Sequence, residues 1–210
     1  MNQVATTTAE RILDAAEHLF AENGIGNTSL RQITAAASVN LAAIHYHFRS
    51  KDGLIEALLL RRLAEANRVR LEQLDAAESA AHPPALEKVM HAFVGPVVDL
   101  GKSPRGTHFA RMMARVHTER EGLMVEILQR HFPEMVRRFK QAFRRAAPGL
   151  PPEEILWRIH FSVGLLMWSL QSSRHLEAFS DGRVRQSNPA ALTRRLVSFL
   201  SAGFRAPLES

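Results

Sequence analysis

His45 and His47 form a His-x-His pair, a spacing that invites a metal ion. The flanking sequence reads as helix, and helical residues two apart point ~200° apart, so the pair cannot chelate one ion. Glu87 with His91, and His131 with Glu134, have the spacing of helical neighbours and read as surface pairs. The chain has no Gly-x-Ser-x-Gly, no Walker-type glycine-rich phosphate loop and no His-Glu-x-x-His. It has no cysteine, which excludes disulfides, thiolate zinc sites, iron–sulfur clusters and a cysteine nucleophile. We therefore expect no metal, no cofactor and no catalytic residues, and a protein that is not an enzyme.

The same histidines suit a different chemistry. Leu41-Ala42-Ala43-Ile44-His45-Tyr46-His47 is a short helix with small residues at its start and polar rings at 45, 46 and 47. Small side chains at Ala42 and Ala43 let a backbone approach base edges, and Leu41 and Ala43 can touch thymine methyls. His45, Tyr46 and His47 supply hydrogen-bonding groups. Two short helices joined by a three-residue turn, Ser38-Val39-Asn40, have helix-turn-helix geometry, the second helix being the one that enters a major groove.

The elements that must position this helix follow from capping and periodicity. Thr7-x-x-Glu10 has capping-box spacing and opens a helix whose Ile12, Ala16, Leu19 and Phe20 form one apolar stripe. Asn23-Gly24 ends it. Ser29-x-x-Gln32 opens a second helix, Leu30 to Ala37, which buries Leu30 and Ile33. Asn40 caps the third, with Ile44 and Phe48 facing inward. Ser50 caps a fourth, from Lys51 to about Glu78, with Asp52 in its first turn where the helix dipole favours negative charge. Four or five more helices are expected, over 84–100, 107–118, 122–147, 153–176 and 189–204, with kinks or breaks at Pro96 and Pro133. Loops are expected at 101–106 and over the polar stretch 179–188. No strand pattern occurs, so the fold class is all-α.

Composition sets the wider frame. The chain has 210 residues, 46% hydrophobic and 23% charged, with a net charge of +6. That is one or two globular domains with a weak bias toward an acidic partner. The bias is absent from the first fifty residues, where Arg11, Arg31 and Arg49 stand against Glu10, Asp14, Glu17 and Glu22 for a net −1. Any DNA contact there rests on few, placed residues. The N-terminus lacks a basic region followed by an apolar run, and Ile155–Leu170 carries Arg158 and His160 and falls short of the ~20 apolar residues a span needs. The expected location is cytoplasmic, with no membrane partner.

Arg11-Ile12-Leu13-Asp14-Ala15-Ala16-Glu17-x-Leu19-Phe20-Ala21-Glu22-Asn23-Gly24, Thr28-Ser29-Leu30-Arg31-Gln32-Ile33 and Ile44-His45-Tyr46-His47-Phe48-x-Ser50-Lys51-Asp52-Gly53-Leu54 together resemble the TetR family of transcriptional regulators. The resemblance covers about residues 8–58. It implies a helix-turn-helix DNA-binding domain over residues 1–51 and a helical effector-binding and dimerisation domain over 52–210. It carries operator contacts to Thr28, Ser29, Arg31, Tyr46, His47 and Lys51, and Asn40, Leu41, Ala42, Ala43 and His45 are expected to bind DNA beside them. Thr28 and Ser29 would meet a phosphate with hydroxyls and free amides. His45 departs from the usual tyrosine, and Ser38 from the usual glycine. The run Val39–Phe48 is similar to that of a subgroup that includes fatty-acid-responsive repressors.

The implied partners are double-stranded operator DNA, a second copy of the chain and a small hydrophobic, acyl- or fatty-acid-like effector. Phe93, Val97, Phe109, Met112, Met113 and Val116 are the expected effector-binding residues. Phe161, Leu165 and Trp168 would join them from the helix that starts near Glu153. Arg111, Arg115 and His117 could neutralise an acidic headgroup. The expected dimer interface is Ile155, Ile159, Leu166 and Leu170 with Leu192, Leu196, Phe199 and Leu200, meeting its mate as a four-helix bundle. The implied function is a repressor released from a palindromic operator by its effector. The alternative is a helical ligand-binding or protein-interaction module without DNA binding.

Overall fold

The computed structural model describes residues 7–101, 104–171, 173–185 and 188–208. Residues 1–6, residues 102–103 of the expected loop at 101–106 and residues 186–187 of the expected irregular stretch lie outside the described residues. The described residues form helices and connections with no strand.

Three short helices make the head: α1 (Thr8–Asn23), α2 (Leu30–Ala37) and α3 (Leu41–Phe48). Each starts where a side chain satisfies its free amides. Thr7 and Glu10 form a capping box, as do Ser29 and Gln32, and the Asn40 carboxamide oxygen accepts from the Ala43 amide at 2.9 Å. Ile12, Phe20, Ile33 and Ile44 are fully buried between them. Ser38 closes α2 in the left-handed region at φ 52°, a conformation that costs a β-carbon more than it costs glycine. Ser38→Gly should therefore stabilise the head, by ~1 kcal/mol at most, seen as a small rise in melting temperature.

Helix α4 (Lys51–Ala80) leaves the head and runs on into the body. Its first turn presses on the end of α3 because residue 53 is glycine; a β-carbon there would collide with the Phe48 carbonyl oxygen. The body adds α5 (Leu86–Leu100), α6 (Pro104–Glu119), α7 (Glu121–His131), α8 (Pro133–Ala146), α9 (Pro152–Gln171), α10 (Ser173–Phe179) and α11 (Pro189–Arg205). Helix α5 lies between α4 and α11, and α6 packs on α1. One continuous apolar core extends from Ile12 and Ile44 in the head through Leu58 and Val94 to Phe143 and Phe204.

The two prolines behave differently, and the preceding residue explains why. Pro133 starts a new helix, with Phe132 pushed to φ −131°, so the single helix expected at 122–147 is two, α7 and α8. A proline ring clashes with the β-carbon of the residue before it when that residue is helical. Pro96 follows Gly95, which has no β-carbon, and α5 runs through it with Ala92 to Val98 all buried. Within the helix expected at 153–176, residue 172 lies outside the described residues, and the rest is described as α9 to Gln171 and α10 from Ser173.

Candidate nucleic-acid interface and the junction behind it

Of the eight residues of α3, only Ile44 is buried. Ala43 and Phe48 pack against the core at its margin. Leu41, Ala42, His45, Tyr46 and His47 are exposed, and Tyr46 is 85% exposed. The Tyr46 and His47 rings meet edge to face with centroids 5.0 Å apart. The His45 ring turns toward the end of its own helix, with Nδ1 3.1 Å from the Arg49 carbonyl oxygen. The turn before α3 and the cap after it are thus fixed from within the head, and the outer surface of α3 is left free.

Two expected contact residues are turned inward. Thr28 is 1% exposed, and its hydroxyl donates to the Gly24 carbonyl at 2.7 Å. It closes the α1–α2 connection, and the hydroxyl is not available to a phosphate. Lys51 donates its ammonium to the Ile25 carbonyl and lies 5.8 Å from the centre of the Phe20 ring. Burial holds this ammonium below the usual lysine range. Lys51 therefore ties α4 to the same connection. Ser29 and Asn40 spend their side-chain oxygens as helix caps, while Arg31 is exposed.

The net −1 of the first fifty residues does not describe the exposed face. Asp14 and Glu17 pair with Arg61 at 2.8 and 2.6 Å, Glu17 also with Arg62, and Glu22 with Arg111 at 3.2 Å. Glu10 is held in its capping box. Asp14, Glu17 and Glu22 are thus matched by arginines of α4 and α6. Arg31 and Arg49 are exposed and make no ion pair among the described residues.

Sequence reasoning missed the junction between head and body. Glu119, the last residue of α6, accepts from two successive backbone amides, Ile25 at 3.0 Å and Gly26 at 2.9 Å. Arg115 reaches the Glu22 carbonyl at 3.3 Å, and Arg120 pairs with Asp52 at 3.0 Å. Arg111 and Arg115, expected to face an acidic headgroup, face the head instead. The partners of Arg111, Arg115 and Glu119 lie about ninety residues away in the chain and that of Arg120 about seventy, so no local pattern announces them.

The body holds the expected effector-binding residues in two separate places. Phe93, Val97, Phe109, Met112, Met113 and Val116 are buried in the common core, none more than 6% exposed, and His117 is half-buried beside them in sequence. Arg70 is buried there too. It donates to the Phe93 carbonyl at 2.8 Å and to Asn67 at 3.1 Å, and desolvation pulls its pKa down to about 10. Phe161 and Trp168 do not join this group; they stand on the outside, 60% and 54% exposed, with Leu165 half-buried.

The expected interface residues also divide. Ile155, Leu166, Leu196 and Leu200 are buried and close the core of the single chain. Ile159, Leu170 and Leu192 are half-buried, and Phe199 is 70% exposed. The inner stripe of α9 is Ile155, Arg158, Ser162 and Leu166, and its outer stripe is Trp157, Phe161, Gly164 and Trp168. Arg158 is turned inward because it has partners there: Glu154 at 2.7 Å and the carbonyls of Gly203 and Ala206 at 2.8 and 3.0 Å. That leaves the aromatic rings outside. Trp157 and Phe161 stack on each other at 5.8 Å.

A capped helix-turn-helix head, joined through one long helix and an ionic junction to an all-helical body, defines a helix-turn-helix protein of two parts. Residues 12–58 match the model of bacterial regulatory proteins of the tetR family, and residues 91–203 match the tetracyclin repressor-like C-terminal domain. The chain belongs to the TetR family. Among curated relatives it is 36% identical over 61 residues to the HTH-type transcriptional regulator UidR of Escherichia coli (strain K12), covering 29% of this chain and 31% of that protein. It is 40% identical over 70 residues to the HTH-type transcriptional regulator AcrR of Shigella flexneri, covering 33% of this chain and 32% of that protein. Each match thus spans about a third of the relative's length. In fold, it is similar to the fatty acid degradation regulator FadR from Bacillus halodurans, with a TM-score of 0.62, 17% identity, and coverage of 95% of this chain and 97% of that one. It is likewise similar to Mycobacterium smegmatis AmtR, with a TM-score of 0.61, 20% identity, and coverage of 95% and 88%. No helix among the described residues is long and apolar enough to cross a membrane.

Proposed function

We propose that this protein is a cytoplasmic, homodimeric transcriptional repressor that binds a palindromic operator and is released by a hydrophobic effector. The observation that carries the DNA reading is α3, an eight-residue helix with one buried residue and its polar rings free. Residues 1–51 act as the DNA-binding domain and 52–210 as the effector and dimer domain. Leu41, Ala42, His45, Tyr46 and His47 face the major groove, and Arg31 and Arg49 meet the phosphate backbone. The outer aromatic stripe of α9, with Phe199 of α11, meets its two-fold mate, because exposed apolar patches of this kind mark interfaces.

The effector takes the place of side chains in the Met- and Phe-rich core beside α6, and an acyl chain suits such flexible apolar walls. A shift of α6 then pulls on the α1–α2 connection through Glu119 and changes the spacing of the two heads. Linkage requires that effector and DNA weaken each other by the same factor.

The test is binding of the full chain to a duplex recovered from a random library, read by fluorescence anisotropy. Tyr46→Ala with His47→Ala should weaken binding ~100-fold or more while the melting temperature and dimer mass stay unchanged, since both side chains are exposed. Undiminished binding by the double variant would overturn the assignment of α3.

A further inference from the structure

His45 is held twice to the end of its own helix. The Arg49 amide donates to the His45 carbonyl at 3.2 Å, and the His45 ring places Nδ1 3.1 Å from the Arg49 carbonyl oxygen. The chain there is fixed from the other side as well. Arg49 is in the left-handed region at φ 64°, and the Ser50 amide donates to the Phe48 carbonyl at 2.7 Å, immediately before the first turn of α4. The ring therefore has a defined orientation on an exposed surface.

That contact also decides where the proton sits. A carbonyl oxygen can only accept, so in the neutral imidazole Nδ1 must carry the hydrogen. Nε2 is then left with a lone pair and no hydrogen. The two ring nitrogens diverge, so Nε2 points away from the Arg49 carbonyl and makes no hydrogen bond among the described residues.

Major-groove edges offer donors from adenine N6 and cytosine N4 only; guanine and thymine present acceptors. We propose that His45 is a specificity-determining residue whose Nε2 accepts from the exocyclic amino group of an adenine or cytosine, selecting an amino base over a keto base at one position of each half-site. This rests on the proposed entry of α3 into the major groove. A phenol at this place carries a donor as well as an acceptor and would not force the choice.

Two readouts test the proposal on the full chain. At pH 8 a long-range proton–nitrogen correlation spectrum should show His45 protonated at Nδ1. Protonation at Nε2 would overturn the proposal without touching the DNA reading. Duplex selection then compares the unaltered chain with His45→Phe and His45→Lys, each first checked for an unchanged melting curve. The unaltered chain should favour adenine or cytosine about fivefold at one position per half-site. His45→Phe should lose that preference at that position alone, and His45→Lys, a pure donor, should reverse it toward guanine or thymine. A position that responds to neither variant, or that prefers a keto base in the unaltered chain, would overturn the proposal. If the unaltered chain selects no duplex, the DNA reading itself falls and this proposal with it, while the tautomer measurement still reports on the ring.

Discussion

Trp157→Glu with Phe161→Glu should convert the proposed dimer to a monomer and weaken operator binding more than 100-fold, while the helical content and melting curve of each chain remain close to unchanged. Both rings are more than half exposed in the single chain, so neither is needed to close its core. In a two-fold assembly each substitution occurs twice, and four carboxylates would be forced into a contact built for aromatic surface. The loss of DNA affinity follows from geometry rather than from any change at α3. One head alone makes half the contacts, and linking two heads raises avidity by about 10²- to 10⁴-fold without new ones. Sedimentation measures the mass, and anisotropy with a selected duplex measures the affinity. A dimer that survives the double substitution would place the interface elsewhere.

Arg158→Ala should destabilise the chain by ~3 kcal/mol, a fall in melting temperature of about 6–12 °C for a protein of this size. The guanidinium is 8% exposed and joins three groups: the Glu154 carboxylate, the Gly203 carbonyl in the last turn of α11 and the Ala206 carbonyl just after it. Its removal leaves two carbonyl oxygens at the end of α11 and a partly buried carboxylate without their donor, the costly way to break a buried pair. Because α11 also packs along α5, loosening its end should expose the core around Phe204 and Phe143, whose rings stack at 4.9 Å. Scanning calorimetry of the two proteins measures the difference; an unchanged melting temperature would mean that Arg158 is replaceable by water.

The head was legible in the sequence because its signals are local. Thr7 and Glu10, Ser29 and Gln32, Asn40 and Ser50 each cap a helix within three or four residues, and the helix starts they announce are the ones observed. The free face of α3 was legible for the same reason: with Ile44 inward, the helical period sends residues 42, 45 and 46 outward. Thr28 and Lys51 were not legible, because their partners are backbone carbonyls, which sequence does not display. Glu119 was hidden by distance along the chain.

The faces of α9 were not legible for a different reason. Leu156, Trp157, Ile159, Phe161, Val163, Leu165 and Leu166 make both sides apolar, so hydrophobicity cannot say which side is core. The decision was made by polar residues. Arg158 and Ser162 look like surface residues in sequence, yet both are buried, Arg158 on the carbonyls of α11 and Ser162 donating to the Arg158 carbonyl at 2.7 Å. A buried cation with three acceptors outweighed the pull of the larger rings, and the tryptophans were left on the outside.

The most direct measurement is selection of bound duplexes from a random DNA library by the full chain at about 150 mM salt, where phosphate-only binding is weakened. The predicted result is an inverted repeat whose half-sites lie about one helical turn apart (~34–36 Å) or somewhat further, matching two copies of α3 related by a two-fold axis. Recovery of no common sequence, from protein refolded free of any carried ligand, would contradict the repressor reading and leave the body's ligand-binding role to stand alone.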